Sequence, residues 1–481
     1  MFGARHGATA VLAVALLTTG VARATTLEPH FEVHGLELAE AEVRARGGAW
    51  RAILWDRLED EELAPGPYEL RVRFDAGATA GASVQVPPCA GRTGILVDGR
   101  KVAAPPGPVV VALTPGRHEL GLTVDVSSYE RRIACGERPR VGAAARTVEG
   151  LGLLRFDSPH QTPGRPGAGS AVVYVPPGHD VRRPSSLVVG LHPWNGTIWT
   201  YAAYAGLLDE ARARDVVLLL PSGLGNSLYT AEAEDEVLRA IDAATQAVAI
   251  DPRAVSLWGA SMGGAGATTI GLHHPDRFAS ITSFFGDAKY DLTTYVRAIL
   301  PDERAAHRVN ALDVVDNARH VPVWLVHGEA DVTSPIRQSA VLAGALAQRG
   351  FAVRFDHIAG VGHSGALVGR FLPGVVSVAA GARVPSPVAR VTYRSVRATD
   401  TGAYGVRLER AVDGAPAATE PGRDLDAFVD VERRDDGVHV LRAEGLRGLE
   451  LERGALGTDA AHPPAIVMDA SPSVPARWAA P

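Results

Sequence analysis

The chain has 481 residues, of which 46% are hydrophobic and 21% are charged, an ordinary composition for a soluble globular protein. Its length leaves room for roughly two or three domains, each able to bury a core. The formal net charge is −6 and no basic run or stripe occurs, so the composition excludes an electrostatic surface for nucleic acid.

The first 24 residues differ from the rest of the chain. Arg5 and His6 precede the apolar run "ATAVLAVALL", and Ala22-Arg23-Ala24 forms a small-x-small cleavage sequence. This pattern predicts a signal peptide over residues 1–24, and therefore a secreted or periplasmic protein without membrane insertion after its removal. A membrane anchor is the alternative, but the apolar run is about half a membrane span.

Residues 25–155 are predicted to form an N-terminal β-rich domain. Alternating apolar and polar residues, interrupted by glycine or proline, occur in "YELRVRFDA", "GILVDGRKV", "PVVVALTPG" and "HELGLTVDVS". Strands without long helices between them indicate an antiparallel sandwich. The two cysteines, Cys89 and Cys135, predict a disulfide in an oxidising compartment. Two buried free thiols are the alternative.

Residues 156–384 alternate between short apolar runs and helical segments. The apolar runs are "AVVYVPP", "LVVGLHP", "VVLLLPS", "VSLWGAS", "ITSFFGD", "VPVWLVHGEAD" and "FAVRFDHI", and such runs are typical of strands buried on both faces of a parallel sheet. Residues 232–250 carry apolar side chains at helical spacing, and a second helix is predicted after Pro335 through about Gln348. This alternation predicts a doubly wound α/β domain.

Residues 385–470 are predicted to form a small C-terminal β-rich domain. Its strand-like pieces are "YGVRLERA", "AFVDVERRD", "GVHVLRAE" and "LELERG". The Pro/Ala/Ser-rich residues 471–481 are predicted to be a disordered tail. Carbohydrate contact by the two flanking β domains is one interpretation, although the sequence offers no aromatic platform for a sugar.

Ser261 lies in the frame Gly259-Ala260-Ser261-Met262-Gly263. The preceding "VSLWG" predicts a strand, and "MGGAGATTIGLHHP" predicts the start of a helix. Strand, tight turn and helix are the setting of a nucleophile elbow, in which glycines permit the sharp turn. We therefore expect Ser261 to be a catalytic nucleophile.

A serine nucleophile needs a base and an acid that orients the base. Asp331 follows the run "VPVWLVHGEAD", and His363 lies in the loop "AGVGHSG" after the last predicted strand. The order Ser261, Asp331, His363 is the one expected for an elbow enzyme. Asp287, which also ends a strand, is the alternative acid. Packing, capping or loop-shaping positions are predicted for four other histidines: His192, His273, His274 and His357.

The tetrahedral intermediate needs two N–H donors. Met262, directly after the nucleophile, is predicted to supply one of them. The loop "HPWNG" is predicted to supply the other from Trp194, with Asn195 as the alternative, because Pro193 has no N–H. Three further side chains are candidate substrate contacts, although packing or surface roles fit them better: Asn226, Tyr229 and Tyr290.

The chain resembles the α/β-hydrolases, in the branch of prolyl-oligopeptidase-type (S9-like) catalytic domains and secreted feruloyl or acetyl-xylan-type esterases. The resemblance covers about residues 170–380 and rests on "LVVGLHPWNG", "AEDEVLRAIDAA", "AIDPRAVSLWGASMGGAGA", "HPDRFA", "WLVHGEADVTSP" and "GVGHSG". It implies that Ser261, Asp331 and His363 are the nucleophile, acid and base. His192-Pro193 departs from the His-Gly usual in the oxyanion loop. The N-terminal segment is also too short for the propeller of true prolyl oligopeptidases.

The sequence thus predicts a secreted serine hydrolase that cleaves carboxylic esters through an acyl-enzyme. The predicted partner is a small-molecule ester or peptide substrate, and the mechanism requires no metal or organic cofactor. An S9-like serine peptidase is the alternative function. A non-catalytic binding protein on the same scaffold is a third hypothesis, which the complete Ser-Asp-His set disfavours.

Overall fold

A computed structural model describes most of the chain after the predicted signal peptide. The described residues are 26–77, 81–104, 108–128, 131–135, 138–162, 165–180, 182–202, 204–290, 300, 302–410, 426–470 and 474–480. The predicted signal peptide lies outside them. Within these ranges, no helix is both long enough and apolar enough to cross a membrane.

The N-terminal region consists of strands. They are β1 (Thr26–Glu37), β2 (Glu40–Ala45), β3 (Arg51–Leu54), β4 (Gly66–Asp75), β5 (Ser83–Val86), β6 (Arg92–Val97), β7 (Arg100–Val102), β8 (Val109–Ala112) and β9 (Arg117–Val126). Six of these strands form one antiparallel sheet in the order β3-β2-β4-β9-β6-β7. Its inner face packs against β5 and β8. Cys89 and Cys135 form the predicted disulfide at the edge of this core.

The middle of the chain alternates strands and helices. They are β10 (Arg140–Thr162), β11 (Arg165–Tyr174), β12 (Ser185–Leu191), α1 (Ala205–Arg214), β13 (Val217–Pro221), α2 (Glu232–Ala247), β14 (Ile250–Ala260), α3 (Met262–His273), β15 (Ser280–Phe284), α4 (Glu303–His307), β16 (Val323–Gly328), α5 (Arg337–Gln348), β17 (Val353–Ile358) and α6 (Gly365–Gly381). A 3₁₀ segment covers Ala311–His320. The helices predicted over residues 232–250 and after Pro335 correspond to α2 and α5, and the helix predicted after Ser261 corresponds to α3.

These strands form one sheet in the order β17-β16-β15-β14-β12-β13-β11-β10-β5-β8, with β1 also paired to β10. The six strands from β12 to β17 are mutually parallel, as in an α/β-hydrolase. The run "AVVYVPP" predicts a strand of the parallel sheet, but β11 is antiparallel to β13. Burial on both faces fits either strand direction, so the apolar run could not distinguish them.

The long strand β10 joins the N-terminal strands to the hydrolase sheet. Its first residues pair with β5, residues 140–155 pair with β1, and residues from Leu151 onward pair with β11. The predicted boundary at residue 155 falls inside this strand. One continuous set of backbone hydrogen bonds therefore extends through both regions.

The C-terminal region is again made of strands. They are β18 (Arg390–Ser395), β19 (Gly402–Ala403), β20 (Val406–Arg410), β21 (Ala427–Arg434), β22 (Gly437–Glu444), β23 (Leu446–Leu451), β24 (Ile466–Met468) and β25 (Ala476–Trp478). They form two sheets, β18-β21-β22-β24 and β19-β20-β23-β25. The prediction of a disordered tail is wrong for residues 474–480, because β25 pairs with β23 and the Trp478 indole N–H donates to Pro464 O at 2.9 Å.

Side chains from the C-terminal region and from the 3₁₀ segment form hydrogen bonds at the end of α3. The Tyr393 hydroxyl donates to His273 O at 2.9 Å, and the Tyr404 hydroxyl donates to Pro275 O at 2.7 Å. Asn317, from the 3₁₀ segment, donates to Leu272 O at 2.9 Å. The last carbonyls of a helix have no partner within the helix, so Tyr393 and Asn317 satisfy carbonyls that α3 leaves open, while Tyr404 bonds the turn that follows the helix.

A buried ionic cluster lies at the same contact. Arg397 donates to both Glu234 carboxylate oxygens at 2.8 and 2.6 Å and to Asp400 at 2.8 Å. Asp400 also bonds His273 at 2.8 Å, and both of these side chains are fully buried. His273 is therefore part of the interior rather than the solvent-facing cap that its position at a helix end predicts. Burial alone would raise the pKa of Glu234, but His274 and Arg397 lower it to about 2.

We predict that Arg397→Met destabilises the protein by about 3–5 kcal/mol, because it leaves two buried carboxylates without their cation. The measurement is the urea midpoint at neutral pH. Arg407→Met is the matched control, since Arg407 also pairs with a glutamate, Glu452, but in solvent. Its midpoint should stay close to that of the wild type. Equal midpoints for the two variants would contradict the structural role of the cluster.

Candidate active site

Ser261 occupies the turn between β14 and α3. Its backbone has φ 55° and ψ −120°, a conformation that non-glycine residues adopt only where the surrounding structure enforces it. Its N–H donates to Phe284 O at the end of β15, at 2.9 Å. The predicted strand, turn and helix are therefore present around this serine.

Two glycines allow the turn to pack against the end of β12. A Cβ on Gly263 would lie 1.8 Å from Leu191 O, and a Cβ on Gly259 would lie 2.3 Å from Gly263 O. No larger residue fits at either position without moving the backbone. The glycine frame thus sets the distance between α3 and β12.

His363 lies in the loop between β17 and α6. Its Nε2 is 2.9 Å from Ser261 Oγ, and its Nδ1 is 2.7 Å from Asp331 Oδ2. A carboxylate can only accept, so Nδ1 carries the proton and Nε2 is free to accept from the serine hydroxyl. The Phe285 ring meets the imidazole edge-on at a centroid distance of 4.5 Å and limits its rotation.

Asp331 is held by the loop that follows β16. Its Oδ1 accepts from the N–H groups of Thr333 and Ser334, both at 2.9 Å. His327 Nε2 is 3.5 Å from Oδ2, and both side chains are completely buried. Burial alone would raise the pKa of Asp331, but the hydrogen bonds from His327 and His363 hold it well below its usual range. The carboxylate is therefore ionised and has one fixed orientation.

Asp287, the alternative acid, lies behind this loop. It accepts from the Ser334 hydroxyl at 2.8 Å. Ser334 N–H in turn bonds Asp331. The geometry therefore favours Asp331 as the partner of His363 and makes Asp287 a support of the acid loop.

The two predicted oxyanion donors lie on neighbouring elements. Met262 is the first residue of α3, where a backbone N–H has no acceptor within the helix. In the loop after β12, the Asn195 N–H donates to Asn226 Oδ1 at 2.6 Å. The Asn226 amide donates back to the Asn195 side chain. Asn195 is thus engaged with Asn226, and Trp194 remains the predicted donor from this loop.

The other residues singled out in the sequence are buried or form local hydrogen bonds. Tyr229 and Tyr290 are buried, and burial raises the pKa of both phenols. The buried His192 ring lies between Pro193 O and Ser222 O at 2.9 and 2.8 Å, so it shapes its loop as predicted. His357, on the edge strand β17, bonds Glu329 at 2.5 Å.

Among the described residues, no group of three His, Cys, Asp or Glu side chains could hold a metal ion.

Sequence reasoning missed three side chains that surround the site. They are Tyr201, Phe285 and His327. Each lies in a context that predicts core packing, and nothing in the sequence marks the ring contact of Phe285 or the polar contacts of Tyr201 and His327. Only the folded arrangement brings them to the turn, the imidazole and the carboxylate.

We predict that Gly263→Ala removes most activity and destabilises the fold by about 1–3 kcal/mol, because the added methyl overlaps Leu191 O. Aryl-ester turnover and the thermal midpoint are the measurements. Gly344→Ala is the control: it is also a helical glycine, but among the described residues no atom outside its own stretch of helix lies within 4 Å of the added Cβ. It should stabilise α5 by about 0.5–1 kcal/mol. Full activity in Gly263→Ala would contradict the proposed close contact.

Residues 225–371 match the sequence model of the Prolyl oligopeptidase family. No curated protein sequence matches the chain. Among solved structures, an S-formylglutathione hydrolase from Agrobacterium tumefaciens is 21% identical, with 50% of this chain and 98% of that chain covered and a TM-score of 0.41.

Two further structures are similar over comparable parts of this chain. A ferulic acid esterase is 16% identical over 47% of this chain and 99% of that one, with a TM-score of 0.39. A puromycin-hydrolyzing peptidase of Mycobacterium tuberculosis is 19% identical over 54% and 44%, with a TM-score of 0.37. The family match over residues 225–371, rather than these likenesses, supports a serine hydrolase of the S9-like α/β-hydrolase branch.

Proposed function

We propose that the protein hydrolyses carboxylic esters with Ser261 as nucleophile, His363 as general base and acid, and Asp331 as the orienting carboxylate. The observation that carries this proposal is the hydrogen-bonded series from Ser261 Oγ through both nitrogens of His363 to Asp331. In such a series the base can remove the serine proton as the new bond forms.

The reaction has two halves. Ser261 Oγ attacks the acyl carbonyl, its proton passes to His363 Nε2, and the carbonyl π electrons move onto oxygen. The N–H groups of Met262 and Trp194 stabilise that oxyanion. Collapse breaks the bond to the alcohol, which takes the proton from His363. Water, deprotonated by the same imidazole, then attacks the acyl-serine. Collapse breaks the bond between the acyl carbon and Ser261 Oγ, which takes the proton back from His363 as the acid leaves.

Asp331 acts through His363. Its ionised carboxylate selects the tautomer with the proton on Nδ1 and stabilises the imidazolium that forms during attack. The two backbone donors to its other oxygen keep it from rotating away. The acid therefore contributes orientation and charge stabilisation without taking up a proton.

A serine peptidase of the S9 type is the second candidate, and the match of residues 225–371 favours it. Against it, the N-terminal region forms a six-stranded sheet packed on two strands. It does not supply the long propeller that the resemblance associates with prolyl oligopeptidases. We also propose export, on the basis of the N-terminal sequence, with which the Cys89–Cys135 disulfide agrees.

Ser261→Ala should lower kcat on a short-chain aryl ester by at least about a thousandfold, because the nucleophile is absent. The measurement is steady-state hydrolysis, with circular dichroism to establish that the variant is folded. A folded variant that retains most of its activity would remove Ser261 from this role.

Asp331→Asn should reduce kcat by about a thousandfold or more, because the amide no longer selects the productive tautomer. Asp287→Asn removes a carboxylate from the same loop without touching His363 and should cost less than about tenfold. Comparing the two kcat values decides the acid. A larger loss of kcat in Asp287→Asn than in Asp331→Asn would make Asp287 the catalytic acid and Asp331 the supporting carboxylate.

A panel of aryl esters, feruloylated and acetylated sugars, and proline- and lysine-containing chromogenic peptides separates the two candidate functions. We expect kcat/KM on esters to exceed that on peptides, with all turnover abolished by Ser261→Ala. A Ser261-dependent preference for peptide amides would reject the esterase and support the peptidase.

A further inference from the structure

Tyr201 lies between the two strand ends that flank the candidate oxyanion site. Its hydroxyl donates to Leu191 O at the end of β12, at 3.0 Å. The same oxygen accepts from the Ala260 N–H, directly before Ser261, at 3.1 Å. Only 2% of this residue is exposed. One phenol therefore links the backbone of the oxyanion loop to the backbone of the nucleophile turn.

Tyr229 holds the next carbonyl of the same loop. Its hydroxyl donates to His192 O at 3.1 Å. The residue is fully buried, and its ring fills the space beside Gly266 of α3, where an added Cβ would lie 2.6 Å from Tyr229 Cδ2. Burial raises the pKa of Tyr201 and Tyr229 well above the ordinary value. Both hydroxyls therefore remain neutral donors.

The third carbonyl is held within the loop, where the Gly196 N–H donates to Pro193 O at 2.8 Å. A peptide unit is planar, and in its trans form the C=O and the following N–H point in opposite directions. Fixing Pro193 O therefore fixes the direction of the Trp194 N–H. Three consecutive carbonyls, those of Leu191, His192 and Pro193, are thus anchored just before the candidate donor.

We propose that Tyr201 and Tyr229 are positioning residues that set the distance and direction between the Trp194 and Met262 N–H groups. This inference rests on the proposed function, because it concerns the same oxyanion. In this loop His192-Pro193 stands where the resemblance leads us to expect His-Gly. The two phenols hold the carbonyls of Leu191 and His192, on the N-terminal side of this proline.

The test compares Tyr201→Phe and Tyr229→Phe with Tyr393→Phe. Tyr393 is also buried and also donates to a backbone carbonyl, His273 O, but at the far end of α3. For each protein, kcat and KM on an aryl ester are normalised to active sites titrated with a fluorophosphonate. The inhibition constant of an aryl trifluoromethyl ketone, which forms a tetrahedral adduct bearing an oxyanion, and the Tm are also measured.

We expect Tyr201→Phe to lower kcat by about tenfold or more and to leave KM nearly unchanged, because displaced donors stabilise the transition state less well. The inhibition constant of the ketone should rise in parallel. Tyr229→Phe should also lower kcat and weaken binding of the ketone. Tyr393→Phe should lower Tm by a similar few degrees and leave kcat and ketone affinity at wild-type values. A purely structural role predicts that all three variants behave like Tyr393→Phe, and that result would overturn the proposal.

The proposed function and the positioning role can be disproved separately. If the wild type is not labelled at Ser261 by the fluorophosphonate and hydrolyses no ester, the proposed function and the positioning role are both wrong. If the wild type is labelled and active, but Tyr201→Phe keeps its kcat and ketone affinity, only the positioning role is wrong.

Discussion

The first turn of α3 lies directly against the carbonyl of Leu191, and this contact requires a glycine at position 263. A Cβ there would lie 1.8 Å from the Leu191 oxygen, far inside any van der Waals contact. Because the helix approaches so closely, its first residues, beginning with Met262, lie next to the start of the loop after β12. The site that we propose depends on this single approach, since both donors and the nucleophile take their positions from it.

The rest of the molecule holds the elements that meet at this contact. At the sheet end of α3, Tyr201 bridges β12 and β14. At its other end, the C-terminal region supplies Tyr393 and the buried cluster around Arg397. The N-terminal strands are connected to the same sheet through β10. The flanking β regions are therefore packed into the framework of the hydrolase sheet.

Much of the sheet and the order of the candidate triad could be predicted from the sequence. Short apolar runs mark buried strands, and Ser261, Asp331 and His363 each follow such a run, so local pattern was sufficient to select them. The direction of β11, the extent of β10 and the pairing of Ala476–Trp478 with β23 depend on long-range hydrogen bonds. The roles of Tyr201 and His327 depend on where their polar atoms lie within an apolar interior, and no periodicity encodes that.

The most direct test of the central claim is to trap the covalent intermediate. The protein is mixed with an aryl ester, quenched in acid during the pre-steady state, digested and analysed by mass spectrometry. The account predicts that the peptide containing Ser261 carries the mass of the acyl group and that this adduct is absent from His363→Ala. An acyl group on a different residue, or rapid turnover without any adduct on Ser261, would contradict it.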